Sequence, residues 1–208
     1  MTALADFNRY FAQCPLVAII RGVRPDEAEA IGGAILEAGI RIIEVPLNSP
    51  EPLRSIETLA KRFGGEALIG AGTVLDPEDV KRVAWAGGRL IVSPSTDAAV
   101  IRQAHDDNLV SAPGFFTPSE AFTAIRAGAN ALKLFPAEAA SPAVVKSIRA
   151  VLPRELPLLV VGGVKPETMR GWLDAGANGF GLGGGLYTAG QSLADTSARA
   201  RLYVAGLA

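Results

Sequence analysis

Short apolar segments alternate along the chain with longer amphipathic segments. Eight of the apolar segments are rich in Val, Ile and Leu on both faces, which is typical of parallel strands buried on both sides. They cover residues 16–21, 41–45, 67–72, 89–93, 109–112, 131–135, 158–163 and 179–184. Several intervening segments begin with Pro or acidic residues and end with Gly, as helices commonly do. The clearest are residues 25–39, 76–88, 117–128 and 165–176.

Eight successive strand–helix units predict an α/β fold of the (β/α)8 type, the TIM barrel. A doubly wound open sheet is the alternative, because it also alternates strands with helices. We expect a single domain over residues 1–208, since no linker or low-complexity segment interrupts the pattern. Residues 2–13 predict a helix across the bottom of the barrel, and residues 195–206 predict a helix that closes it.

The composition argues against several classes of partner and site. A formal net charge of −1 argues against binding to nucleic acid or to an anionic membrane surface. Cys14 is the single cysteine and His105 the single histidine, so the sequence predicts no disulfide, no His/Cys metal site and no Ser-His-Asp triad. No segment resembles a signal peptide or a membrane span, so we expect a cytoplasmic protein. We expect His105 to be solvated and both Trp85 and Trp172 to pack within helices.

A lysine, Lys133, lies inside an apolar strand, where a charged side chain is costly to bury. Reactive groups of this barrel lie at the C-terminal ends of its strands. Because strand residues alternate in direction, Lys133 shares the interior face with Ala131 and Phe135. By the same alternation Glu44 faces the interior from the second strand, and we expect the two side chains to meet at the barrel mouth. The structural alternative is a buried salt bridge.

Glycine clusters follow the last two strands. Gly162 with Gly163, and Gly183 with Gly184, occupy the positions where this barrel commonly binds phosphate. Glycine lets backbone N–H groups approach an anion closely, and a helix N-terminus adds positive potential. Residues 186–190 are a candidate for such a short helix. The alternative for either cluster is a tight turn.

Two further polar residues lie at strand ends. Arg21 follows the first strand, and its guanidinium suits a carboxylate. Thr73 follows the third strand and could present a hydroxyl at the same mouth. The alternatives are a surface arginine and a helix-capping threonine.

Four motifs resemble, in the same order, those of the 2-keto-3-deoxy-6-phosphogluconate/6-phosphogalactonate aldolases. They are IIEVPLNSP (42–50), GAGTVLDPE (70–78), ALKLFPAE (131–138) and VVGGVKPE (160–167). The resemblance covers residues 15–190 and implies a class I aldolase on a (β/α)8 barrel, a homotrimer that needs no metal or other cofactor. It implies that Lys133 forms the Schiff base and that Glu44 is the general acid/base. It places the pyruvate end at Arg21, Thr73 and Phe135, and the phosphate at Gly162, Gly163, Gly183 and Gly184.

Two positions differ from the gluconate-directed members of that family. Asn48 stands where they have a substrate-binding arginine, and Val161 stands where they often have a threonine. The run EVPLNSP instead resembles the galactonate-directed branch, so Asn48 and Val161 are the candidates for selectivity at C4. Glycines also replace the phosphate-site serines of other members, which leaves more of the anion binding to backbone amides.

The resemblance therefore implies a small-molecule substrate, 2-dehydro-3-deoxy-6-phosphogalactonate, cleaved reversibly to pyruvate and D-glyceraldehyde 3-phosphate. The first alternative is the 6-phosphogluconate epimer, or acceptance of both C4 epimers. A second is a sugar-phosphate isomerase or synthase that uses no Schiff base. A third is a sugar-phosphate-binding protein without catalytic activity.

Overall fold

The computed structural model describes residues 2–208, which form a barrel of parallel strands inside a layer of helices. The strands follow the ring order β5-β4-β3-β2-β1-β9-β8-β7-β6. Their bounds are β1 Leu16–Ile19, β2 Ile42–Pro46, β3 Leu68–Gly72, β4 Leu90–Val92, β5 Val110–Ala112, β6 Gly114–Phe115, β7 Leu132–Leu134, β8 Leu158–Val161 and β9 Gly179–Leu182.

Pro113 divides the fifth strand of the barrel into two short parts. β5 pairs with β4, and β6 pairs with β7 on the other side. Because proline has no N–H to donate to a strand ladder, the pairing is interrupted at that residue. The chain itself joins β5 to β6, which together count as one strand of the barrel. The nine segments therefore form a closed ring of eight strands. This confirms the predicted (β/α)8 barrel and excludes the doubly wound open sheet.

Nine α-helices occur among residues 2–208, and most begin where a proline or a capping side chain favours a helix start. Asp76 accepts from the Glu78 N–H at 2.8 Å, and Thr117 forms a capping box with Glu120. The helix bounds are α1 Ala3–Gln13, α2 Pro25–Glu37, α3 Pro52–Phe63, α4 Pro77–Trp85, α5 Ala98–Asp106, α6 Pro118–Ala127, α7 Pro142–Arg149, α8 Met169–Asp174 and α9 Leu193–Ala205.

The alternation of strand side chains divides the core into two layers. Val17, Ile42 and Leu159 belong to the layer inside the barrel. Their sequence neighbours Ala18 and Ile43 belong to the larger layer between strands and helices. Burial of an Ile or Leu side chain contributes about 1.5–3 kcal/mol, so this pattern fixes which strand residues face inward.

The N-terminal helix lies across the bottom of the barrel, as predicted. Phe7 of α1 is fully buried against the inner layer. Asp6 pairs with Arg89 at 2.6 Å, just before β4 begins, and the Tyr10 hydroxyl donates to Gly65 O before β3. The predicted closing helix is α9, which packs on α2.

Two local expectations were wrong. Trp85 is 90% exposed, because α4 directs Val80 and Val83 inward and a residue two positions further lies on the opposite side of the helix. Residues 186–190 form no helix, because the bonds from Leu186 N–H and Tyr187 N–H to Gly183 O are not continued and the next backbone bond, from Gln191 N–H to Thr188 O, belongs to a separate turn.

Other local expectations were confirmed. Trp172 packs in the core and His105 is exposed. Within residues 2–208, no helix has the length and apolar character needed to cross a membrane.

Candidate active site

A cavity of ≈ 670 Å³ opens at the C-terminal ends of the strands. Nine of the predicted site residues line it: Arg21, Thr73, Lys133, Phe135, Val161, Gly162, Gly163, Gly183 and Gly184. Glu44 and Asn48 are not among the lining residues, although both interact with residues that are. The structure thus gathers residues from six strands and their following loops at one mouth.

Lys133 extends from β7 into the barrel and is only 6% exposed. Its Nζ lies 4.8 Å from the centroid of the Phe135 ring. Burial lowers the pKa of Lys133, and the positive charge of Arg21 lowers it further, while the Glu44 carboxylate opposes both effects. The neutral amine is the nucleophilic form, so this environment favours attack on a carbonyl carbon.

Glu44 extends from β2 into the same interior and is 1% exposed. Burial raises the pKa of Glu44 to about 7, against the opposing charges of Lys133 and Arg21. Its Oε2 atom is buried and has no hydrogen-bond partner among the described residues. No direct ion pair joins Glu44 to Lys133 in residues 2–208, so the alternative of a buried salt bridge is not what the structure contains. A carboxyl group with this pKa can both take and return a proton near neutral pH.

Gly72 leaves the space that the Glu44 carboxylate occupies. A Cβ atom built on Gly72 would lie closer than 3.0 Å to both carboxylate oxygens of Glu44. The missing side chain at the end of β3 therefore fixes where the acid can sit.

Arg21 is held at the mouth by two side chains. Its guanidinium donates to Asn48 Oδ1 and, at 3.5 Å, to Thr73 Oγ1. Thr73 adopts φ 57°, a left-handed conformation that is strained for a β-branched residue. It does not cap a helix, because Asp76 caps α4.

The glycine loops after β8 and β9 leave backbone accessible at the cavity wall. Gly162 and Gly163 have φ 114° and 64°, backbone angles that residues with a side chain rarely adopt. Gly183 and Gly184 have open space where a Cβ would lie. Both loops are also tight turns, so the turn alternative describes their shape without excluding an anion-binding role.

A family model described as KDPG and KHG aldolase matches residues 8–199. The chain belongs to this aldolase family. The 2-dehydro-3-deoxy-6-phosphogalactonate aldolase of Escherichia coli (strain K12) is 48% identical over 190 residues, which are 91% of this chain and 93% of that protein. A probable 2-dehydro-3-deoxy-6-phosphogalactonate aldolase of Rhizobium meliloti (strain 1021) is 50% identical over 186 residues, 89% of this chain and 88% of that one.

Solved structures of the KDPG and KHG aldolase family superpose closely on this chain. The one named "Native KDPGal structure" gives a TM-score of 0.93 at 47% identity, over 94% of this chain and 95% of that one. The barrel described above is therefore the architecture of an aldolase, a carbon–carbon lyase.

Four ionisable residues that line the aldolase cavity were not among the sequence predictions: Glu138, Lys165, Tyr187 and Tyr203. Glu138 and Lys165 lie inside the quoted motifs ALKLFPAE and VVGGVKPE, so their position in those motifs was the available signal. The two tyrosines carried no comparable signal, because their contacts are remote in sequence. Tyr203 donates to Val164 O at 2.8 Å and so ties α9 to the loop after β8.

Tyr187 anchors the loop after β9. It is 1% exposed, and its hydroxyl donates to Glu27 Oε1 at 3.0 Å. Burial, and then the Glu27 carboxylate, raise the pKa of Tyr187 to about 12, so the hydroxyl remains a donor. Glu27 also pairs with Arg24 at 3.2 Å. This network joins the glycine loop to the start of α2.

Proposed function

We propose that this aldolase reversibly cleaves 2-dehydro-3-deoxy-6-phosphogalactonate to pyruvate and D-glyceraldehyde 3-phosphate through a Schiff base on Lys133. The observation that carries the proposal is the buried Lys133 amine, with a lowered pKa, sharing the barrel interior with Glu44. The names of the two curated relatives support the galactonate configuration of the substrate.

The first half of the reaction forms the imine. The neutral amine of Lys133 attacks the C2 ketone of the substrate, and the carbinolamine loses water to give a protonated imine. That cation withdraws electrons from the C2–C3 region, which prepares the C3–C4 bond for cleavage. Arg21 and Thr73 line the same cavity and are suited to hold the C1 carboxylate.

The second half breaks the carbon–carbon bond and releases both products. Glu44, directly or through a water, takes the proton of the C4 hydroxyl, and the C3–C4 electron pair moves toward the imine. Glyceraldehyde 3-phosphate leaves, and an enamine of pyruvate remains on Lys133. Protonation at C3, for which Glu44 now carries a proton, regenerates the imine. Hydrolysis then releases pyruvate and restores the amine.

The glycine loops are suited to the phosphate end of the substrate. Backbone N–H groups of Gly183 and Gly184 can approach an anion because no side chain shields them. Glycines replace the serines that other family members have here. Lys165 lines the same part of the cavity and supplies a positive charge. Arg199 lies beside the same loop, where its guanidinium donates to Gly184 O at 3.4 Å. Phosphate binding therefore combines backbone donors with nearby cationic side chains.

Val161 is our principal candidate for selectivity at C4. It ends β8 and lines the cavity, and the missing side chain of Gly181 leaves room for it, since a Cβ there would lie 2.7 Å from Val161 Cγ2. Asn48 contributes through Arg21, whose guanidinium it binds. Homotrimeric assembly and a cytoplasmic location stay predictions of the sequence.

The substrate is tested by measuring cleavage of the two C4 epimers with purified enzyme, with pyruvate release coupled to NADH oxidation. We expect kcat/KM to favour the galactonate epimer by about tenfold or more, since a misplaced hydroxyl leaves polar groups unpaired. Val161→Thr should reduce that preference, and Val151→Thr, at an exposed site away from the cavity, should not. Equal rates for both epimers would contradict the assignment of substrate, and cleavage of neither would remove the proposed function.

A further inference from the structure

The carboxylate of Glu138 lies against the glycine pair that follows β8. A Cβ built on Gly162 would lie 2.9 Å from Glu138 Cδ, and one on Gly163 would lie 2.7 Å from Glu138 Cγ. Glu138 also lines the cavity that contains Lys133. An acidic group thus touches the loop where the substrate phosphate is expected.

No counterion neutralises this acid within the described residues. Glu138 forms neither a hydrogen bond nor an ion pair there, although it shares the cavity wall with Lys165. The other two cations of the cavity, Arg21 and Lys133, belong to the end where the substrate carboxylate and ketone are bound. At the phosphate end, Lys165 and Glu138 lie in the cavity wall, and Arg199 lies beside the second glycine loop, where its guanidinium donates to Gly184 O at 3.4 Å. Glu138 is therefore the acidic group at an end that otherwise carries positive side chains.

The cations attract a bound phosphate, and the Glu138 carboxylate has the opposite effect. A phosphate dianion within a few ångströms of a carboxylate is repelled, and solvent weakens the repulsion without removing it. A hydroxyl group at the same position is not repelled, and it can donate a hydrogen bond to the carboxylate. Glu138 therefore penalises the phosphate ester relative to the free alcohol.

We propose that Glu138 is a specificity-determining residue that weakens selection for phosphate and admits unphosphorylated 2-keto-3-deoxy sugar acids as substrates. The inference deepens the proposed function and rests on it for the identity of the reaction. The observation on which it depends is the position of the Glu138 carboxylate over Gly162 and Gly163.

The test compares two aldehyde acceptors in the synthesis direction with pyruvate: D-glyceraldehyde 3-phosphate and D-glyceraldehyde. The measured quantity is the ratio of their kcat/KM values. We expect Glu138→Gln to raise the ratio in favour of the phosphorylated aldehyde by about three- to tenfold, since an exposed charge acts through screening solvent. The gain should shrink at high ionic strength. Glu155→Gln, which makes the same charge change at the opposite end of β8, should leave the ratio unchanged.

A second measurement does not depend on catalysis. Titration calorimetry with inorganic phosphate should give a lower Kd for Glu138→Gln than for the wild type or Glu155→Gln. An unchanged ratio, an unchanged phosphate Kd, or an equal fall of kcat with both aldehydes would overturn the inference. If the wild-type protein performs no aldol reaction, the proposed function fails, and the phosphate Kd values still decide the effect of Glu138.

Discussion

Replacing Gly72 with alanine should separate imine formation from carbon–carbon cleavage. The new Cβ would lie closer than 3.0 Å to both oxygens of the Glu44 carboxylate. Ordinary non-bonded contacts are about 3.5 Å or longer, so the carboxylate has to move by roughly 1.5 Å or more. Glu44 is 1% exposed and cannot swing into solvent, so it must settle in another position inside the barrel.

The size of the effect follows from that displacement. A catalytic group misplaced by about 1 Å can lose about 100-fold in rate, and overpacking a buried site costs about 1–3 kcal/mol of stability. We expect Gly72→Ala to fold, to form the pyruvate imine on Lys133 as the wild type does, and to cleave substrate at least about 100-fold more slowly. Steady-state cleavage and borohydride trapping, measured on the same preparation, give the two quantities.

The matched control is Gly65→Ala, where a Cβ meets nothing within 4 Å. That variant should keep the wild-type cleavage rate. If Gly72→Ala also cleaves at the wild-type rate, the position of Glu44 is not critical and its assignment as the general acid/base is wrong. If Gly72→Ala is folded but forms no imine, the two steps are not separable in the way we describe.

The remaining predictions concern the proton of Glu44 and the loop after β9. With the pKa of Glu44 at about 7, roughly a tenth of it is ionised at pH 6 and roughly nine-tenths at pH 8, so kcat/KM for cleavage should rise about tenfold over that interval. Glu44→Gln should form the imine, cleave substrate slowly and lose the rise of kcat/KM between pH 6 and pH 8. If that rise persists in the variant, the titrating group is Lys133 instead. Tyr187→Phe removes the 3.0 Å hydrogen bond to Glu27 and should raise KM for the phosphorylated substrate roughly three- to tenfold. Trapping of the imine in Tyr187→Phe should be unchanged, and Tyr10→Phe at the bottom of the barrel serves as the control. An unaltered KM in Tyr187→Phe would show that its hydrogen bond to Glu27 does not position the loop.

Local patterns in the sequence were sufficient to place the two central side chains. The alternation of strand residues put Lys133 and Glu44 inside the barrel, and the structure finds both there. Helix starts were equally predictable, because the capping residues Asp76 and Thr117 act on backbone groups within three positions of themselves. These features depend on neighbours in sequence, which is why a single sequence reveals them.

The expectations that failed, and the residues that were missed, depend on contacts remote in sequence. Trp85 lies on the outer face of α4, and its surroundings follow from how that helix docks on the barrel. The hydrogen bond from Arg21 to Asn48 joins two different loops. Glu138 gained its significance from Gly162, in the loop after the next strand, which no local pattern connects to it.

Covalent trapping of pyruvate tests the central claim most directly. The enzyme is incubated with pyruvate and borohydride, digested, and its peptides are analysed by mass spectrometry, with Lys133→Met as the control. We predict a reduced pyruvyl adduct on Lys133 in the wild type and none in the variant. A folded wild-type protein that carries no adduct on any lysine, or carries it only on a lysine other than Lys133, would contradict the Schiff-base mechanism.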